Sequence, residues 1–478
     1  MTDKDKFLDE KILKIINTYI EETSSDATPV TRHISPSRLM KDLDLNLNKN
    51  GCNLDELYGF IENYLRNSVR TGHRQYFNQL WSGYTLPGFL GEMITALSNT
   101  SMYTYEVAPV ATILETELVK KMGHFVGYSD PEGQFVTGGS NGNLLAMMIA
   151  RNRERADARR KGIRDGFRLA AFVSDQAHYS YEKAANVIGI GSDQVKKVPS
   201  DSKGAMIPEE LEKMIEEAVE QNFVPFFIGA TAGTTVKGAY DPCDAIAPIA
   251  ERYKIWFHID ASHGGGVFLS PKWRHLVSGS EKSDSIIWNS HKMMGLPLVC
   301  SMFLVKEKGH MLRTFTASGT DYIFHDHGLG AHDLGPQSLQ CGRRVDSLKL
   351  WLAWKYYGDE EYAARIENFF DLSAYAEEII RHHSNLELMA ERTSVNICFR
   401  YTAPHLRNFN DFNKKIREEL ASRGLSLVNY AFIGRDLVIR LVILNHEMEK
   451  SDIDRFFDNF IRTAEELIEK EKKTSPSS

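Results

Sequence analysis

Hydrophobic positions follow two rhythms along this chain. Between residues 5 and 22, Phe7, Leu8, Ile12, Leu13, Ile15, Ile16 and Ile20 recur at mostly helical spacing, which predicts an N-terminal amphipathic helix. "SSDATPV" (24–30) breaks it, and "SPSRLMKDL" predicts a fresh start capped by Ser35 or Ser37, with Pro36 near the first turn. Another helix is predicted over 53–68, capped by Asn53. From about residue 100 the rhythm changes to short, β-rich apolar runs: "RLAAFVS" (168–174), "VPFFIGAT" (224–231), "KIWFHID" (254–260), "SIIWNS" (285–290) and "CSMFLV" (300–305). Helical patterns separate them, notably at 208–220 and 242–252. Such alternation predicts an α/β fold, a doubly wound and mainly parallel sheet with helices on both faces. Residues 313–340 lose periodicity and predict a long functional loop. Beyond a helix at 344–356, helices at 364–383, 410–423 and 451–471 alternate with "SVNICFRY" and "DLVIRLVIL", predicting a small C-terminal α+β domain. The expected division is a helical segment over 1–95, a large α/β domain over 96–360 and the small domain over 361–478.

Charge and composition narrow the function class. A net charge of −7 over 478 residues argues against a nucleic-acid partner, which would call for a basic face. No run reaches the ~18–20 uncharged apolar residues of a membrane span. The N-terminus, "MTDKDKFLDEKILK", lacks the apolar stretch of a signal peptide. Cys52, Cys243, Cys300, Cys341 and Cys398 lie far apart, without a CxxC pair, so neither a disulfide framework nor a zinc site is expected. A reduced, cytoplasmic setting is the simplest reading.

The predicted strands end in residues able to do chemistry. In α/β sheets of this kind the ligand site lies beyond the carboxyl ends of the strands. "FVTGGSNGN" (135–143) opens a helix with glycines, Ser140 and Asn141, a setting that suits a phosphate or, alternatively, a turn needed only for packing. His178, in "VSDQAHYSYEKAAN", follows a strand and reads as catalytic or structural. "IGATAGTTVKGAYDP" ends another strand in small residues and threonines. Asp260 closes "WFHIDASHGGG", where a carboxylate needs a partner such as a protonated ring nitrogen, unless it caps the next helix. Lys292 follows the next strand in "WNSHKMMGLPLVC", walled by Met293 and Met294, and an apolar flank favours the neutral amine. A phosphate cradle, an Asp and a Lys at successive strand ends fit pyridoxal 5'-phosphate, which needs a lysine for attachment and a carboxylate on its ring nitrogen.

The same motifs resemble a known family. "TGHRQYFNQL" (71–80), "TYEVAPV" (104–110), "SDQAHYSYEKAA", "ATAGTTVKGAYDP", "HIDASHGGG", "WNSHKMMG" and "QCGRRVDSLKLWLAWK" (340–355) resemble the group II pyridoxal-phosphate decarboxylases, in the glutamate, cysteine sulfinate and aspartate branch. The likeness runs from about residue 50 to about residue 465. It implies a fold-type I enzyme that decarboxylates an acidic L-amino acid as an obligate homodimer with sites at the interface. By that resemblance Lys292 holds the cofactor, Asp260 its ring nitrogen and His178 its ring face. Ser140 with neighbouring Asn141, and His291, would bind the phosphate region, with Thr231 close by. Arg440 would grip the substrate α-carboxylate, and Tyr322 would protonate the substrate carbon after carbon dioxide leaves.

Three departures from the family pattern stand out. His263 takes the place of a usual Trp and, with Gln79, is expected to face the substrate. Gly142 stands where relatives often carry a serine, which puts one phosphate contact in question. Trp81-Ser82 replaces a small polar pair, so Trp81 should shorten the pocket and favour aspartate or cysteine sulfinate over glutamate. His325, His327 and His332, with Asp326, could suggest a metal, but no supporting pattern accompanies them and none is expected. Alternative readings are decarboxylation of diaminobutyrate or an aromatic amino acid, a different pyridoxal-phosphate reaction, or a catalytically silent scaffold.

Overall fold

The computed structural model describes residues 9–163, 167–320, 322–324, 330–404 and 406–474. Its strands, in chain order, are β1 (Tyr76–Phe77), β2 (Glu132–Val136), β3 (Leu169–Ser174), β4 (Val195–Val198), β5 (Val224–Thr231) and β6 (Trp256–Ala261). They continue as β7 (Ser285–Asn289), β8 (Ser301–Val305), β9 (Leu386–Leu388), β10 (Asn396–Tyr401), β11 (Leu427–Ile433) and β12 (Asp436–Val442). The chain forms two compact units, one of residues 84–373 and 390–396, the other of 1–83, 374–389 and 397–478. The segments expected separately at the two ends of the sequence thus share a unit.

The larger unit carries a seven-stranded sheet in the order β2-β8-β7-β6-β5-β3-β4. Strands β4, β3, β5, β6 and β7 run parallel, and β8 is antiparallel to both β7 and β2. Every residue of β3, β6 and β7 is buried, so β3 reads as a nearly continuous apolar run, while β6 and β7 bury His258, Asp260, Ser285 and Asn289 among their apolar residues. The helix Pro208–Glu220 begins on a proline, whose fixed φ suits the first turn, and buries Leu211, Ile215 and Ala218 on one face. Cys243–Tyr253 follows β5 and ends in a left-handed Lys254. Helix Gly139–Glu154 packs on β5, β6 and β7. After β3 the chain steps outward to β4, then returns to the other side of β3 for β5, so the sheet reverses direction between β3 and β5. Such a reversal opens a crevice at the carboxyl ends of the strands.

The smaller unit has a five-stranded sheet in the order β1-β11-β12-β10-β9. Tyr76 pairs with Leu427 in parallel, tying the N-terminal segment to the C-terminal strands. Helix Leu54–Asn67 starts with a full capping box, in which the Asn53 side chain and Glu56 satisfy each other's backbone N–H groups. Ser35 caps Pro36–Asp42. Phe399, Phe456, Phe457 and Phe460 form an aromatic core, three of them supplied by helix Lys450–Thr474.

Candidate active site

The crevice at the strand ends of the larger unit is a cavity of about 110 Å³. Gly139, Ser140, His178, Thr231, Gly233, Thr235, Asp260, Ser262, His263, Asn289 and Lys292 line it. Register brings them together. Thr231 pairs with Asp260 across β5 and β6, and Asp260 pairs with Ile287 of β7. The turn after β7, closed by the Lys292 amide donating to the Asn289 carbonyl at 3.1 Å, delivers Lys292 to the same rim. Lys292 is half-buried, between buried His291 and Met293.

The cavity floor is the start of helix Gly139–Glu154. Gly138 has φ +115°, in the region that favours glycine, and this swings the chain from β2 into the helix. Asn141 and Gly142 donate their amides to the Gly138 carbonyl, which leaves those of Gly139 and Ser140 ahead of the first intrahelical bond. A Cβ on Gly139 would lie 2.2 Å from Ser262 Oγ, so a side chain there would fill the cradle. The buried hydroxyls of Ser262 and Thr231 have no hydrogen-bond partner among the described residues. Unspent hydroxyl donors beside a helix N-terminus are what a phosphate ester requires. Gly142 has another role. Its Cβ would meet Ile287 at 2.5 Å, so glycine there lets the helix lie close on β7.

Electrostatics separate the remaining groups. Burial pushes the Asp260 carboxyl up. Hydrogen bonds from Asn143 and Ser262 and the charge of Lys292 outweigh it, holding the group below the usual carboxylate range. Asn143 Nδ2 donates to Asp260 Oδ2 at 2.8 Å and the Ser262 amide to Oδ1 at 3.0 Å. Burial lowers the His178 pKa against the opposing pull of Asp260, and Lys292 lowers it further. His178 Nδ1 accepts the Ser180 amide at 3.2 Å, which leaves Nε2 to carry the ring proton. Thr231 is fixed by Asp241, whose carboxylate accepts the Thr231 and Met206 amides at 2.7 Å each; burial pushes Asp241 up to about 7. His263 meets Asn396 Oδ1 at 2.8 Å through Nε2.

Of the residues expected from sequence, Ser140, His178, Thr231, Asp260, His263 and Lys292 share this cavity. Asn141 does not line it. His291 turns its ring to the Cys300 backbone, with Nδ1 3.0 Å from the carbonyl and 3.1 Å from the amide. Burial, then Lys292, pushes His291 down to about 3. Tyr322 is exposed in a turn after Thr320. Arg440, Gln79 and Trp81 belong to the smaller unit, where the Arg440 guanidinium donates to the Asn78 carbonyl at 2.9 Å and Trp81 lies beside Tyr76. His325 and His327 lie outside the described residues; His332 sits beside Tyr105. No group of three or more His, Cys, Asp or Glu suited to a metal occurs among the described residues. Sequence reasoning passed over Gly233, Thr235, Ser262 and Asn289. The last two lie within three positions of Asp260 and Lys292, which was the available signal.

Residues 36–402 match the family model described as the pyridoxal-dependent decarboxylase conserved domain. The chain belongs to the pyridoxal-dependent decarboxylase family. It is 38% identical over 453 residues to the cysteine sulfinic acid decarboxylase of Mus musculus, covering 92% of each chain. It is 35% identical to the acidic amino acid decarboxylase GADL1 of Xenopus tropicalis, over 97% of this chain and 93% of that one. The crystal structure of mouse CSAD superposes with a TM-score of 0.91 at 36% identity, covering 95% of this chain and 97% of that one. This decarboxylase is therefore a fold-type I α/β carboxy-lyase whose cofactor is pyridoxal phosphate. The donor set fits that cofactor: unspent hydroxyls at the helix N-terminus, a low-pKa carboxylate and a half-buried lysine in one cavity.

Proposed function

We propose that this decarboxylase removes the α-carboxyl group of a short acidic L-amino acid, cysteine sulfinate or aspartate, releasing the amine and carbon dioxide. The full-length likeness to cysteine sulfinic acid decarboxylase carries this reading. Bound pyridoxal phosphate supplies an electron sink for the pair released when the carboxyl group departs. Lys292 anchors it, and ionised Asp260 holds a proton on the ring nitrogen, which keeps the ring electron-poor. His178 covers a ring face. Ser140 and Thr231 serve the phosphate region, where the Gly139 and Ser140 amides add donors; Asn141 and His291, which do not line the cavity, are left out of that set. Arg440 holds the substrate α-carboxylate; Gln79, Trp81 and His263 face the distal group; Tyr322 returns the proton to the α-carbon.

The enzyme acts as a cytoplasmic homodimer in this reading. Leu86, Leu90, Ile94 and Leu97 form an exposed apolar stripe on helix Leu86–Ser98, and Val110 and Ile113 are likewise exposed on helix Pro109–Val126. A patch of that kind favours a protein partner. The five cysteines form no disulfide among the described residues, which suits a reducing compartment, and among those residues no helix is long and apolar enough to cross a membrane.

The bulk of Trp81 sets substrate length. Trp81→Ser is expected to raise the glutamate-to-cysteine-sulfinate ratio of kcat/KM by about ten-fold, the usual worth of a methylene in a fitted pocket. Steady-state decarboxylation of both acids measures it. A ratio within two-fold of wild type removes Trp81 from substrate selection.

A further inference from the structure

Asp260 is joined to a line of buried polar groups that the proposed chemistry does not use. His258 and Asp260 are two apart on β6 and so face the same side of the sheet. Ser285 pairs with His258 across β6 and β7, and the start of helix Gly139–Glu154 sets Asn143 in reach of both His258 and Asp260. All of these residues are buried. Trp256 Nε1 donates to Ser285 Oγ at 2.8 Å; Ser285 Oγ and His258 Nδ1 are 2.8 Å apart; His258 Nε2 and Asn143 Oδ1 are 3.0 Å apart. The Asn143 amide nitrogen then reaches Asp260 Oδ2 at 2.8 Å and Ser180 Oγ at 2.9 Å.

The direction of this line follows from what each group can donate. An ionised carboxylate only accepts, so Asn143 must turn its NH2 to Asp260 and its carbonyl to His258. That carbonyl needs a donor, so His258 carries its proton on Nε2 and presents a lone pair at Nδ1. The Ser285 hydroxyl fills that lone pair, while its oxygen accepts the indole N–H of Trp256. No other arrangement of the amide and imidazole satisfies every member. Burial, working against the Asp260 charge, pushes His258 down to about 4, so the ring stays neutral as the line requires. The second N–H of Asn143 goes to Ser180, whose own amide holds His178 Nδ1. One side chain thus braces both Asp260 and the segment that orients His178.

We propose that Asn143 and His258 are positioning residues, acting through Asp260 to fix the carboxylate against the ring nitrogen of the bound cofactor. The inference rests on the reading of Asp260 given above. The test compares His258→Phe, which keeps an aromatic ring and loses the donor, with His258→Gln, whose amide N–H can still reach Asn143 Oδ1. Pyridoxal phosphate affinity is read by absorbance titration of the cofactor-free protein, kcat and KM for cysteine sulfinate by carbon dioxide release, and folding by circular dichroism and melting temperature. A lost hydrogen bond to a charged network corresponds to roughly ten-fold. His258→Phe should therefore weaken cofactor binding about ten-fold and lower kcat about ten-fold with KM within two-fold, while His258→Gln stays within about three-fold of wild type. Asn143→Ala should match or exceed the Phe variant, and supplies the same comparison where that variant does not fold. Equal losses in the Phe and Gln variants, or wild-type cofactor affinity in both His258→Phe and Asn143→Ala, would overturn the proposal. If Asp260→Asn itself binds cofactor and turns over as wild type, the reading beneath the proposal fails instead, and the two failures are told apart.

Discussion

Lys292→Ala should abolish decarboxylation while leaving the protein folded. Lys292 sits half-buried on the turn after β7, on the rim of the same cavity as Asp260, His178 and Ser140. Its side chain lines a cavity rather than filling the core, so the cost falls on chemistry. In the proposed function Lys292 is the covalent anchor, and it is the one lysine among the residues lining this cavity. A fall in kcat of more than about 10³-fold is expected, the scale on which removal of a covalent catalytic group acts. The absorbance band of lysine-bound cofactor should vanish, and the circular dichroism spectrum should be retained. Turnover near wild type would show that the cofactor is held elsewhere.

Asp260→Asn should be the second most damaging change. The substitution keeps the shape and removes the charge. Two hydrogen bonds and Lys292 keep this carboxyl ionised in spite of its burial. Removing one partner of a buried charge pair costs about 3–5 kcal/mol, or about 10²- to 10⁴-fold in rate. Asparagine also has one acceptor oxygen where the carboxylate has two, so either the Asn143 NH2 or the Ser262 amide loses its acceptor. Cofactor titration and kcat together check this; a variant that keeps wild-type affinity and rate would end the assignment of Asp260 to the ring nitrogen.

Strands β3, β5, β6 and β7 were legible because burial writes them as short runs rich in apolar, β-forming residues. Helix Pro208–Glu220 was legible because Pro208 marks its start and its apolar residues keep one face. Strand β4, Val195–Val198, was not, since two lysines interrupt four residues. Helices Leu86–Ser98 and Pro109–Val126 were also missed. Each carries apolar residues on the exposed as well as the buried side, which hides the helical period. The pairing of Tyr76 with Leu427 joins segments far apart in sequence, and no local pattern reports such a contact. Within the site, residues that end strands were legible and residues that brace them were not. His258 lies inside an apolar strand and Asn143 inside a helix, and each acquires its meaning only once the sheet and helix are packed. The period-two spacing of His258 and Asp260 was the one local hint.

The activity proposed for this enzyme is decarboxylation of a short acidic amino acid. Purified protein loaded with pyridoxal phosphate, offered cysteine sulfinate, aspartate, glutamate, diaminobutyrate and an aromatic amino acid in parallel, tests it most directly when carbon dioxide and amine product are followed together. The highest kcat/KM is expected for cysteine sulfinate or aspartate, with amine and carbon dioxide formed in equal amounts. The highest value for glutamate, or for a basic or aromatic substrate, would contradict the account.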